Sequence, residues 1–425
     1  MESIEKTRIA KLVMAVLTLF CVTLVVWKGL VPGWKNLDSD FPNYYTASRL
    51  LLEGEPVAKF YDNDWFEEQA HQRGIDAPAR FSPFPPITSV LAIPLSFFEP
   101  LVAKRIWLLF NVFLLFVLIA QLRMITNLSF GWVFFIAFWL ALPLMSNFRM
   151  GQFYLVLVCG MLAAYQAAIR NRSKSAGNLL AILTIFKYVP ITLLMAFGIL
   201  GNKRIWIMGS ITLLVLFGFQ ILFFGMDTWQ TYVNVLLGHL SGEIPGQGRF
   251  VPAFQSIDSF AAHLFIYDAE YNPNPLADLP AMPRILKYSF LALVLLIGSL
   301  TLYSSKGRNK RTYRDITLIV VSLGTLLVLP ATATYHFLLL FFPVTLFLRV
   351  GKDHLRLGDV LVLFALLFVS ANTSSFTVDW QTGSDVIDLI LSYPRLWGLC
   401  GLYLFTNWWL GIAVRKRRVE NLIYG

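Results

Sequence analysis

Charge is scarce in this sequence. Asp, Glu, Lys and Arg make up 14% of its 425 residues, against roughly 25% in a soluble globular domain. That shortage excludes a water-facing surface over most of the chain. Cysteine is scarce too. Cys21, Cys159 and Cys400 each lie in an apolar run, and their spacing matches neither a disulfide framework nor a metal-ligand set. No internal repeat and no low-complexity tract is visible, and no stretch is polar enough to form a separate soluble domain. Nucleic acid is excluded as a partner despite the net charge of +10. The basic residues stand in short clusters between apolar runs, not along one face.

What the chain has is apolar length. Hydrophobic residues make up 57% and aromatics 15%, with 36 Phe, 12 Trp and 16 Tyr. Mean hydropathy is +0.63. A helix crosses a bilayer with roughly 17–25 mostly apolar residues. The runs 9–30, 105–122, 130–148, 152–169, 205–224, 284–304, 315–330, 335–350, 357–372 and 395–414 approach or reach that length. The first follows Lys6, Arg8 and Lys11 like a signal peptide, but bulky residues occupy the place of a cleavage site, so it reads as an uncleaved span.

Residues 177–200 are basic on both flanks: Arg170, Arg172 and Lys174 before, Lys203 and Arg204 after. Positive charge marks the cytoplasmic side, so the segment is expected to enter and leave on that side as a hairpin of two short helices. Pro190 supplies the break. The hairpin also puts Lys306, Arg308, Lys310, Arg311 and Arg314, and later Arg415–Arg418, on the cytoplasmic side. The expectation is a single all-α polytopic domain over residues 1–425 with about twelve spans. Both termini are cytoplasmic, and the loops 31–104, 225–283 and 373–394 face outward. Residues 44–53, 64–73, 86–98 and 226–240 are expected as helices within the outer loops, 86–98 interfacial or re-entrant and 226–240 on the membrane surface.

Chemistry-bearing residues gather on the outer side. Asp40, in Asp38-Ser39-Asp40-Phe41, suits a general base or the cap of a following helix. Asp38 and Asp40 form a weak divalent-metal pattern. Gln152, in Arg149-Met150-Gly151-Gln152, can bond a sugar hydroxyl, and Arg149 is a cation beside it, though a snorkelling Arg at a turn reads the same way. Lys187 lies at the hairpin tip, where a cation costs about 2.5–3.5 kcal/mol to insert, so it is expected to meet an anion such as a lipid phosphate. His336 ends a span, and Arg249 is the cation of the second outer loop. Asp62, Asp64, Asp379, Asp385 and Asp388 read as solvated.

Several strings occur together and in order: Asp40-Phe-x-x-Tyr44-Tyr45-x-Ala47, Leu51-Leu-x-Gly54, Tyr61-Asp62, Phe84-Pro85-Pro86 and Ile93-Pro94-Leu95. Further on come Gly151-Gln152, Phe186-Lys187-x-x-Pro190, Gln255-Ser256 and Tyr335-His336 ahead of Phe342-Pro343. Across residues 35–350 this resembles the polyprenol-phosphate-sugar-dependent glycosyltransferases of the GT-C superfamily, family 87. The resemblance implies a GT-C-like helical bundle in the plasma membrane. It also implies an inverting transfer of a sugar, mannose or similar, from a polyprenyl-phosphate donor to a glycan or glycolipid acceptor on the outer side. Asp40 is then the base, and Tyr44, Tyr45, Arg149, Gln152, Lys187, Gln255, Ser256 and His336 bind substrate. Neither a nucleotide nor a tightly bound metal is implied, and the partners are the two substrates and membrane lipids. The chain departs from the family pattern where Phe153-Tyr154 follows Gln152 in place of Val-Asn, and where Phe254 precedes Gln255 in place of Asn. Each change removes an amide.

Other functions share this topology. A transporter or flippase of lipid-linked sugars places its polar residues near mid-membrane in repeated halves, which this chain lacks. A ligase moving a glycan from a lipid diphosphate calls for more outer cations than Arg73, Arg80, Arg149, Arg249 and Arg284.

Overall fold

The computed structural model describes residues 8–240, 250, 254–373 and 384–413. The basic groups at Lys6, Arg249 and Arg415–Arg418, with Asp379, lie outside them. Among the described residues the chain is helical and contains no strand. Five helices among the described residues are long and apolar enough to cross a membrane: Arg8–Lys35, Pro100–Thr126, Lys203–Phe224, Met282–Ser305 and Thr334–Gly351. A bent pair makes a sixth if it is one span. Other expected runs form shorter helices, among them Tyr154–Ile169, Ser173–Phe186, Pro190–Ile199 and Leu357–Asn372. On Lys203–Phe224, Leu214 is 72% exposed and Leu222 87%. A large exposed apolar face of this kind requires lipid rather than water against it. The chain is a helical membrane protein.

Two compact units emerge from the packing. One comprises Thr18–Arg123 with Pro143–Gly246. Its first helix approaches the backbone of Ala141–Met150 through Gly29 and Gly33. A Cβ on Gly33 would lie 2.7 Å from the Phe148 carbonyl oxygen, so only small residues at this spacing let the two backbones meet.

The 177–200 segment of the same unit turns back on itself, as its basic flanks predict. The helices Ser173–Phe186 and Pro190–Ile199 are separated at Lys187, which is extended, with Pro190 opening the second. Gly177, near the start of the segment, faces Ile205, and Gly198, near its end, faces Trp206. Both ends therefore meet the first turn of Lys203–Phe224.

In the 31–104 segment the helices Phe41–Leu52 and Asn63–His71 form where expected. Residues 86–98 do not make one interfacial helix. They make two 3-10 turns, Pro86–Val90 and Ile93–Leu95, because Pro94 has no N–H to continue a helix. The hydroxyls of Tyr45 and Ser48 donate to the carbonyls of Phe98 and Ser89, each at 2.7 Å, and Arg49 donates to Ser96 at 2.9 Å. Met226–Leu240 is helical as expected.

The other unit comprises Met1–Leu17, Met124–Leu142 and Gln247–Gly425. The 130–148 run, expected as one span, is broken at Leu140 into Phe130–Trp139 and Ala141–Met150. Pro143 cannot donate to the Trp139 carbonyl, so the ladder stops there. The side chain of Asn372 bridges the gap. Its Nδ2 donates to the Trp139 carbonyl at 2.6 Å and its Oδ1 accepts from the Leu142 N–H at 3.0 Å. Backbone groups freed in an apolar setting need such partners. Elsewhere in this unit Ile257–Phe265 packs on Tyr393 and Leu396.

Candidate active site

Asp40 stands where the Phe41–Leu52 helix begins, a position at which aspartate commonly caps the first turn. Its side chain makes no capping bond. Instead its Oδ2 accepts a hydrogen bond from Nε2 of Gln152. Gln152 is buried, and its amide oxygen accepts the Tyr44 hydroxyl at 3.0 Å. Since a hydroxyl hydrogen needs an acceptor, Tyr44 turns the amide so that its nitrogen faces Asp40.

Backbone geometry holds this pair in register. The Asp40 N–H donates to the Met150 carbonyl at 3.1 Å, and the Gln152 N–H to the Asn147 carbonyl at 2.9 Å. Between them Gly151 has φ +65°, and a Cβ there would lie 2.7 Å from the Phe41 Cβ. Glycine alone fits both demands. Trp107 Nε1 donates to the Gly151 carbonyl at 2.8 Å and closes the turn from the other side.

Burial raises the Asp40 carboxyl above the usual carboxylate range, while the Gln152 bond and then the charges of Lys187 and Lys104 draw it back. Burial also raises the Tyr44 hydroxyl well above its ordinary value, with the Asp40 charge adding to it. Tyr44 therefore stays protonated and keeps donating.

Lys187 lies in the break of the hairpin. Its ammonium sits 4.7 Å from the Phe84 ring centre and 5.7 Å from that of Tyr154. Aromatic faces attract a cation through their quadrupole without removing its charge. Phe84 also contacts the Tyr44 ring at 5.2 Å, and its carbonyl accepts the Tyr61 hydroxyl at 2.8 Å. Lys187, Phe84, Tyr44, Gln152 and Asp40 thus form one continuous chain of contacts. Tyr154, one of the departures from the family pattern, supplies a ring to it.

Lys104 escaped the sequence reading. It is 1% exposed, and its ammonium donates to the Asn36 carbonyl at 2.5 Å and to Ser39 Oγ at 2.8 Å. It pins the 36–39 segment that delivers Asp40. Its partners lie 65 and 68 positions away, so no local spacing signals it.

The remaining predicted residues have other surroundings. Tyr45 is buried with its hydroxyl on Phe98, and Arg149 is exposed at the end of Ala141–Met150. Gln255, Ser256 and His336 belong to the other unit. Gln255 donates to the Ser392 carbonyl at 3.0 Å and accepts the Arg395 N–H at 3.2 Å. Ser256 donates to the Pro330 carbonyl at 2.7 Å and caps Ile257–Phe265. Both act as fasteners between segments. His336 is half-buried and stacks on Tyr335 at 4.9 Å. Arg395, another residue without a sequence signal, is buried and donates to the Thr373 carbonyl and the Thr334 hydroxyl.

The family model described as glycosyltransferase family 87 matches residues 83–330, more than half of the chain. The chain belongs to glycosyltransferase family 87. Glycosyl transfer is the activity that this membership carries. No curated protein and no solved structure gave a match. The stretch matched to family 87 encloses Phe84, Arg149, Gln152, Lys187, Gln255 and Ser256. Asp40, Tyr44 and Tyr45 precede it, and His336 follows it.

Proposed function

We propose that this family 87 glycosyltransferase moves a sugar, mannose or a similar one, from a polyprenyl-phosphate donor to a glycan or glycolipid acceptor. Transfer takes place on the non-cytoplasmic side and inverts the anomeric centre, with Asp40 as general base. One observation carries the reading: the Asp40 carboxylate is withheld from helix capping and is held by Gln152, which Tyr44 orients in turn.

In this scheme the acceptor hydroxyl gives its proton to Asp40. Its oxygen bonds to the anomeric carbon on the face opposite the lipid phosphate. The bond from that carbon to the phosphate oxygen breaks, and its electron pair leaves with the phosphate. Lys187, on its two rings, meets the departing charge; stabilising charge where it develops is a large contribution to catalysis. A positioned base contributes about 10²–10⁴-fold. Gln152 acts as a positioning residue, since its amide already holds Asp40 and Tyr44. The transfer needs no nucleotide and no tightly bound metal.

The test offers radiolabelled polyprenyl-phosphate sugars to membranes containing wild-type protein or Asp40→Asn. Transfer by wild type alone, with both proteins equally folded, supports the reading and names the sugar. Normal turnover by Asp40→Asn removes Asp40 as the base, and failure with every monophosphate donor removes the donor class.

A further inference from the structure

A second charged site stands in the unit formed by Met124–Leu142 and Gln247–Gly425. The start of Lys310–Val328 and the end of Thr334–Gly351 border a half-open cavity of about 350 Å³, lined by Arg308, Arg311, Thr312, Asp315, Arg349 and His354 among others. That volume falls at the lower end of the roughly 300–1,000 Å³ of ligand pockets. Three arginines line it against one carboxylate.

The carboxylate does not cancel the field. Asp315 is 3% exposed and already paired, with Arg314 at 3.2 Å and Arg349 at 3.5 Å. Arg308 is held in place by donating to the Leu410 carbonyl at 3.1 Å. Arg311 is exposed in the first turn of its helix, where the peptide dipoles add positive potential. A closed turn, with Asn309 accepting the Thr312 N–H at 2.8 Å, fixes that end. Guanidinium groups around a half-open volume suit the anionic oxygens of phosphate, which they bind in a forked geometry.

We propose that this cavity binds a phosphate-bearing anion, separate from the site around Asp40. The chemistry fits the headgroup of an anionic phospholipid and equally a soluble phosphate ester or diphosphate. The basic loop 306–314 is the type of segment that faces the anionic cytoplasmic leaflet, and basic pockets between spans there receive lipid headgroups.

The experiment measures equilibrium binding of phosphatidylglycerol, phosphatidylcholine and inorganic pyrophosphate to the purified full-length protein in detergent. Wild type is compared with Arg311→Gln and with the double variant Arg308→Gln/Arg311→Gln. Retention of phosphatidylglycerol over phosphatidylcholine, with affinity falling about tenfold or more in the double variant, supports a lipid headgroup. Pyrophosphate binding with the same loss, or pyrophosphate displacing the lipid, supports a soluble source for the same site. The proposal is overturned by absence of binding by both anions, by equal retention of phosphatidylcholine when pyrophosphate does not bind, or by undiminished affinity in a folded double variant. If the double variant does not fold, salt decides on wild type. Going from about 0.1 M to about 1 M NaCl shortens the screening length from about 10 to about 3 Å and weakens anion binding; affinity insensitive to salt overturns the site.

Discussion

Gln152 donates its amide nitrogen to the carboxylate of Asp40 across 112 positions of sequence. The bond joins the turn after Ala141–Met150 to the start of Phe41–Leu52, and it sets both where the carboxylate points and how readily it holds a proton.

Gln152→Ala is expected to slow transfer about ten- to a hundredfold, the worth of a hydrogen bond to a charged group at roughly 1.5–3 kcal/mol. The check is kcat measured beside an unchanged elution profile on size exclusion. A variant within twofold of wild type would show that the amide does not position the base.

The pH profile follows from the same environment. Burial raises Asp40, and the Gln152 bond and the Lys187 charge oppose that rise. A base works only when deprotonated, so activity falls as the pH drops through the raised value. Removing either opposing influence, by Gln152→Ala or Lys187→Met, leaves burial less resisted and moves this acidic limb to higher pH. The profile of kcat/KM against pH reads it directly; a limb that stays still or moves down contradicts the assignment.

Gly151→Ala is expected to lose both stability and transfer. A left-handed backbone costs an L-residue about 1–2 kcal/mol, and the added methyl meets Phe41. Thermal melting follows the first effect and turnover the second. Full retention of both would mean that the turn relaxes without disturbing Asp40.

Lys104→Met leaves the Asn36 carbonyl and the Ser39 hydroxyl without their ammonium donor. Hydrogen bonds to a charged group are worth about 1.5–3 kcal/mol, so their loss is one that a thermal melt detects. Turnover is expected to fall with it, because Ser39 adjoins Asp40.

Topology has its own test. Gly307 is exposed with open space around its Cα, so a cysteine there reacts freely with a membrane-impermeant thiol reagent. Labelling only from the cytoplasmic side agrees with the hairpin at Lys187; labelling from outside inverts the second half of the map.

Much of the helical architecture was legible because apolar runs and their interruptions are local. Pro190 and the basic flanks announced the turn at Lys187. Pro94 and Pro143 carry the same signal, but each stands inside an apolar run long enough to read as continuous. Asn372, which makes that bend tolerable, lies more than two hundred positions from the backbone it bonds. In the candidate site Asp40, Gln152 and Lys187 stood out as polar groups at the ends of apolar runs. Their connection through Tyr44 and Phe84 did not, and neither did Lys104, whose composition-level appearance is that of any lysine near a helix start.

The two rings beneath Lys187 have a consequence for molecular traffic. A cation seated on a carboxylate must exchange one anion for another each time a ligand comes and goes. Seated on Phe84 and Tyr154, the ammonium is anchored by neutral partners that have no need to leave. In the proposed transfer a phosphate can meet this ammonium without first displacing either ring, which favours turnover over tight retention of the spent lipid phosphate.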